Sequence, residues 1–124
     1  MARRFVRYIV HQRVEDDPRY VGLFTAAYFL RGQWELPYAD WVRLEGLLAW
    51  FRAELPIPRP HRIPGEAVFW YRDARPFSAR MWELAELLRE HDFSVEQLKA
   101  RCIGRTVWGD RYQIAAVPHR RPRR

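Results

Sequence analysis

Four prolines, Pro56, Pro58, Pro60 and Pro64, fall within nine positions near the middle of the chain. Each removes a backbone donor and locks φ, so neither a helix interior nor a central strand can run through them. The stretch 56–66 reads as a stiff connector; a proline-type ligand for an aromatic groove is the alternative. Secondary structure must therefore be built separately on either side. A chain of 124 residues is nonetheless the size of one domain. We read 1–118 as a single globular domain and 119–124 as a basic, disordered tail.

On the N-terminal side, Phe5 to Val14 is rich in Val, Ile, Tyr and Phe and reads as a strand. Glu15-Asp16-Asp17-Pro18 has the chemistry of a helix start. Asp17 suits the N-cap, Pro18 the first helical position, and the acids meet the positive end of the helix dipole. That predicts a helix to about Leu30, with Val21, Phe24 and Tyr28 on one face, widened by Leu23, Ala27 and Leu30, and Gly32 as terminator. Pro37-Tyr38-Ala39-Asp40 opens a second helix to about Leu55. Trp41, Leu44, Leu48, Phe51 and Leu55 repeat every three or four residues, the spacing of a buried helical stripe. The short link between the helices predicts an αα-hairpin.

On the C-terminal side, Ala67 to Tyr71 is a continuous apolar run and reads as a buried central strand. A helix follows from about Pro76 to Glu90 on the stripe Phe77, Met81, Leu84 and Leu88. Residues 94–103 fit two periods. Ser94-Val95-Glu96-Gln97 matches a capping box, with Phe93 and Leu98 as staple. With period two, Leu98, Ala100 and Cys102 share one face and Val95, Gln97, Lys99 and Arg101 the other. We read a strand, which completes a βαβ unit. Thr106 to Val117 reads as a β-hairpin turning at Gly109-Asp110 in type II′ geometry. The order β-α-α-β-α-β-β-β implies an α+β or small α/β fold with a mixed sheet, an αα-hairpin and one βαβ unit.

Several of these pieces together resemble a set of small bacterial proteins of unassigned activity. They are Trp50-Phe51 before Leu55-Pro56, Phe69-Trp70-Tyr71 before a helix start, and Tyr112-Gln113-Ile114-Ala115-Ala116-Val117-Pro118. The resemblance implies a strand at 95–100. It implies no activity and no cofactor.

Function classes narrow by exclusion. Apolar residues make up 48% of the chain, with 6 Trp, 6 Tyr and 7 Phe, so the body should fold. Cys102 is the single cysteine, which rules out an intramolecular disulfide and a cysteine zinc site. It is expected in the core. The first ten residues lack the long apolar run of a signal peptide, and no stretch approaches the ~20 apolar residues of a membrane span. The expectation is a cytoplasmic protein with no membrane partner.

The net charge of +7 suggests nucleic acid until it is located. Arg3, Arg4 and Arg7 at one end, with Arg120, Arg121, Arg123 and Arg124 at the other, account for the whole excess. Residues 8–117 balance 15 basic against 15 acidic side chains. Lys99 is the only lysine beside 21 arginines, a ratio that a GC-rich genome can produce without selection for phosphate. These seven arginines would be the contacts of a nucleic-acid binder.

No catalytic motif is present. His11, His61, His91 and His119 show no metal spacing, and phosphate loops and the GxSxG elbow are absent. The sequence implies no cofactor and no metal, and it favours a non-enzyme. One constellation could hold an anion or ligand: Arg72, Asp73 and Arg75 leave the central strand just before a helix start. Trp34 and Trp108, near predicted turns, and Tyr112 form the candidate interaction surface. The sequence thus points to a non-catalytic protein-interaction module, with a protein partner or a second copy of itself. Nucleic-acid binding through the arginine-rich ends is the alternative.

Overall fold

A computed structural model describes residues 5–14, 17–55 and 63–119. The chain order is β1 (Phe5–Val14), β2 (Asp17–Gly22), α1 (Leu23–Arg31), α2 (Tyr38–Glu54), β3 (Val68–Arg72), α3 (Phe77–Glu90), β4 (Ser94–Ala100), β5 (Arg105–Gly109) and β6 (Gln113–Val117). It is a mixed α+β fold.

β1 is the strand around which the others assemble. Val6, Tyr8 and Val10 are buried, while Phe5, Arg7 and Ile9 between them are half-buried, the period of a strand covered mainly on one face. β4 pairs along one edge of β1 from Phe5↔Ala100 to His11↔Ser94. The other edge is shared. β3 takes its start, at Phe5↔Arg72 and Val6↔Tyr71, and β2 takes the rest from Ile9↔Gly22 to Val14↔Asp17. β6 then pairs β3, and β5 pairs β6 with a bulge between Thr106 and Trp108.

All of these pairs are antiparallel, where a mixed sheet was expected. β3 and β4 both run against β1 and therefore run parallel to each other, on its two sides. The expected βαβ unit is present in split form, with β1 inserted between its strands. α3 is the crossover.

The largest departure from the sequence reading is β2. The predicted helix start at Asp17-Pro18 is a strand instead, and α1 begins only at Leu23. The local cap chemistry lost to a tertiary gain: pairing with β2 supplies hydrogen bonds to an edge of β1 that β3 reaches at two residues only. Glu15 and Asp16 of the acidic cluster lie outside the described residues. So do residues 56–62 of the connector and 120–124 of the basic tail.

α1 buries Leu23, Ala26, Ala27 and Leu30, and α2 buries Leu44, Leu47, Leu48 and Phe51, each at helical spacing. Gly32 caps α1 as expected. α3 buries Phe77, Met81, Leu84, Ala85, Leu87 and Leu88. All three helices share one apolar cluster with Val6, Tyr8 and Val10 of β1. α3 stops at Asp92, whose φ of 67° is left-handed. The Phe93 N–H then reaches back to the Leu88 carbonyl at 3.1 Å and that of Asp92 to Arg89 at 3.2 Å, a Schellman ending. The chain enters β4, so 94–100 is a strand, as the period-two reading predicted.

The terminal hairpin is also present, with a different turn. Gly109 belongs to β5, opposite Ile114, and its φ is not positive, which excludes type II′. Asp110 closes the turn: its Oδ1 accepts from the N–H of Tyr112 at 2.9 Å and of Gln113 at 2.7 Å. Gly104 is the glycine this region requires. Its φ is +110°, and a Cβ there would lie 2.1 Å from the Val117 carbonyl oxygen. Among the described residues no helix is long and apolar enough to cross a membrane.

Candidate functional site

The split βαβ unit leaves a gap at the carboxyl end of β3. The chain leaves β3 through Asp73 to Arg75 and turns into α3, while β4 runs alongside β1 with Gln97 opposite Tyr8 and Lys99 opposite Val6. Between α3 and these strands lies a cleft of about 600 Å³. Its floor is apolar, with Val6, Tyr71, Phe77 and Met81, and the exposed Trp82 stands at its edge. Its rim is polar, with Asp73, Arg75, Ser78, Gln97 and Lys99.

Hydrogen bonds order this rim. Asp73 Oδ1 accepts from Ser78 Oγ at 2.7 Å, and Lys99 Nζ stands 4.0 Å from Asp73 Oδ2. Gln97 Nε2 donates to the Tyr8 hydroxyl at 2.9 Å. Burial raises the Tyr8 phenol above its ordinary value, partly offset by that hydrogen bond. Burial pushes Tyr71 up to about 12, and the Asp110 carboxylate acts in the same direction. Both phenols are therefore protonated at neutral pH.

The trio Arg72, Asp73 and Arg75 is only partly assembled. Asp73 and Arg75 sit on the rim. Arg72 borders the cleft, but its Nε donates to the Asp110 carbonyl at 3.4 Å and its backbone N–H to Tyr112 at 2.8 Å, so it braces the β5–β6 turn. The start of α3 also offers less to an anion than expected. The N–H of Ser78 is bonded to the Ala74 carbonyl and that of Arg80 to the Pro76 carbonyl. Sequence reasoning missed Tyr8, Ser78, Gln97 and Lys99. The signal was the interruption of a strand face by Gln97 and Lys99 after Val95, which acquires meaning only with the β1–β4 register.

A second surface is formed by aromatics. Trp34, in the α1–α2 link, is 90% exposed, and Tyr38 is 79% exposed. Tyr38 stacks on Trp41 with ring centroids 6.2 Å apart and planes 14° from parallel. Trp41 was expected at the head of the buried stripe and is 38% exposed instead. Arg31, the last residue of α1, pairs with Glu45, so the first turns of α2 extend beyond the end of α1. Trp41 lies one turn before Glu45, on the side of the α1–α2 link, and meets the Tyr38 ring there. Beside this surface a groove of about 470 Å³ runs between the α1–α2 link and the α3–β4 turn. Phe29, Leu36 and Phe93 line it, with Glu35 and Asp92 at its edges.

The other expected surface residues do not join Trp34. Trp108 is half-buried in β5, edge-on to Phe69 at 6.3 Å. Tyr112 is 4% exposed and stacked on Phe77 at 4.8 Å, because the Asp110 turn folds it inward. It belongs to the core cluster and not to the exposed surface on which it was expected. Cys102, expected in the core, is exposed just after β4. His91 caps α3 and meets Asp40 at 3.0 Å, and His11 meets Glu96 at 3.0 Å. Among the described residues no cluster of His, Cys, Asp and Glu could hold a metal ion. Of the arginines suggested for nucleic acid, Arg7 is half-buried in β1, and Arg3, Arg4, Arg120, Arg121, Arg123 and Arg124 lie outside the described residues.

No protein family, curated protein sequence or solved structure matches this chain.

Proposed function

We propose that the chain is a non-catalytic protein-interaction module that docks through Trp34, Tyr38 and Trp41. The observation that carries this reading is the exposure of Trp34 and Tyr38 at 90% and 79% in a chain that packs other aromatic rings into its interior. Large rigid rings held in water cost solvation that a partner would recover, and Trp and Tyr dominate binding energy at interfaces. The adjoining groove supplies apolar walls, and Glu35 and Asp92 set its charge. A partner segment presenting apolar and basic side chains fits both. That partner is a different protein or a second copy of the chain.

The test compares the wild type with the double variant Trp34→Ala, Tyr38→Ala. Sedimentation across a concentration series reads self-association, and affinity capture with quantified prey reads other partners. Self-association or a specific prey lost in the folded double variant is the expected result. Identical sedimentation and identical prey for both proteins would overturn the reading.

A further inference from the structure

The cleft at the end of β3 gathers the donors Tyr8, Arg75, Gln97 and Lys99 around a single carboxylate, Asp73. Tyr8 is 6% exposed, and its hydroxyl oxygen already accepts from Gln97. A phenol carries one proton to donate, and among the described residues that proton enters no hydrogen bond. Lys99 adds an ammonium with three donors, of which the Asp73 carboxylate at 4.0 Å engages one loosely. Arg75 is exposed on the same rim and forms no ion pair or hydrogen bond among the described residues. The one carboxylate on the rim, Asp73, is already bonded to Ser78.

Charge and shape narrow what would satisfy these donors. Three cations line the cleft, Arg72, Arg75 and Lys99. Arg72 is turned to the Asp110 carbonyl and Asp73 offsets one of the other two, so at least one positive charge at Lys99 and Arg75 faces a bound anion. The floor beneath is hydrocarbon, at Met81, with the Trp82 indole at its edge. The volume of about 600 Å³ is that of a small-molecule site. Lys99 brings a compact point charge on a flexible stem, where arginine would place a broad planar fork.

We propose that this cleft binds a small monocarboxylate with an apolar body. The carboxylate faces Lys99, Arg75 and the Tyr8 hydroxyl, and the body lies against Met81 and Trp82. The site is separate from the aromatic surface on the α1–α2 link and does not depend on its role.

The test titrates benzoate, neutral benzamide and orthophosphate separately into the full chain and follows backbone amide chemical shifts. Benzoate is expected to give saturable shifts at Tyr8, Ser78, Gln97 and Lys99, with benzamide and orthophosphate at least about tenfold weaker. Lys99→Gln should weaken benzoate about tenfold, and Tyr8→Phe about threefold, with each fold checked by thermal melting. If Tyr8→Phe disturbs the core, Arg75→Gln replaces it, since that residue is exposed, with the same expected loss. Shifts that do not saturate, benzamide or orthophosphate binding as tightly as benzoate, or a folded Lys99→Gln protein that binds like the wild type would each overturn the proposal.

Discussion

Phe77 and Trp34 are aromatic residues of one small chain in opposite settings. Phe77 is fully buried, with Tyr112, Tyr71, Phe51 and Trp50 around it at ring-centroid distances of 4.8, 5.3, 5.7 and 6.1 Å. Those rings come from the β5–β6 turn, β3 and α2, which are far apart in sequence. Trp34, Tyr38 and Trp41 are neighbours in sequence, and they stand 90%, 79% and 38% exposed. Aromatics drawn from several elements enclose one another on all sides. A local cluster covers only itself, and its outer faces stay in water. The first arrangement holds the fold together; the second is available to a partner.

The sharpest way to break this comparison is Phe77→Ala. Emptying the centre of five rings should cost about 3–5 kcal/mol, read as a fall in the urea midpoint at unchanged slope. A loss below about 1 kcal/mol would mean that the surrounding rings collapse into the space. Asp110→Ala acts on the same interior indirectly. It strips the acceptor from the N–H groups of Tyr112 and Gln113 and should cost about 1–3 kcal/mol. Tyr112 should then loosen from Phe77, visible as a change in near-ultraviolet circular dichroism.

The interior also has a pH signature. Tyr71 titrates at about 12 in the folded chain against 10.0 when unfolded. Below pH 10 both states keep the proton, and the contribution is complete. Between pH 10 and 12 the unfolded chain loses its proton first, so stability falls as pH rises. Urea midpoints measured across that range should fall in the wild type and fall less steeply in Tyr71→Phe, where the raised Tyr8 phenol still contributes. Equal slopes in the two proteins would mean that the Tyr71 phenol, on a residue partly buried against the core, is solvated. At the small end, Trp34→Ala should change stability by no more than about 0.5 kcal/mol while partner binding is lost. A clear loss of stability would show that Trp34 packs against the protein after all.

The parts of this fold legible in the sequence are those with a strong local period. β1 runs over the residues its β-propensity indicated, α2 and α3 follow their apolar stripes, and 94–100 alternates as a strand. The parts that were not legible depend on neighbours. Asp17-Pro18 carries good helix-start chemistry, yet the edge of β1 draws it into β2. Trp41 keeps perfect helical register with Leu44 and Leu48, and still faces water because α1 ends level with Glu45. Of the ligand cleft, Asp73 and Arg75 were visible as a polar group after a strand. Tyr8, Gln97 and Lys99 were not, since Tyr8 lies 89 positions from Gln97 and only the β1–β4 register brings it beside the β4 pair.

What the sequence by itself determined is the order of the elements other than β2 and most of the apolar faces of α2 and α3, because these follow from spacing within a dozen residues. On α1 the stripe of Val21, Phe24 and Tyr28 is not the buried face, since Val21 belongs to β2, Tyr28 is 42% exposed, and Leu23, Ala26, Ala27 and Leu30 are buried instead. The sequence also confined the excess positive charge to the two ends. Tertiary structure decided which strand fills which edge of β1, which aromatics are enclosed, and which polar side chains share a cleft. Strand edges, helix lengths and register are settled by competition among distant segments for the same hydrogen bonds and the same apolar cover, and no local spacing records the outcome.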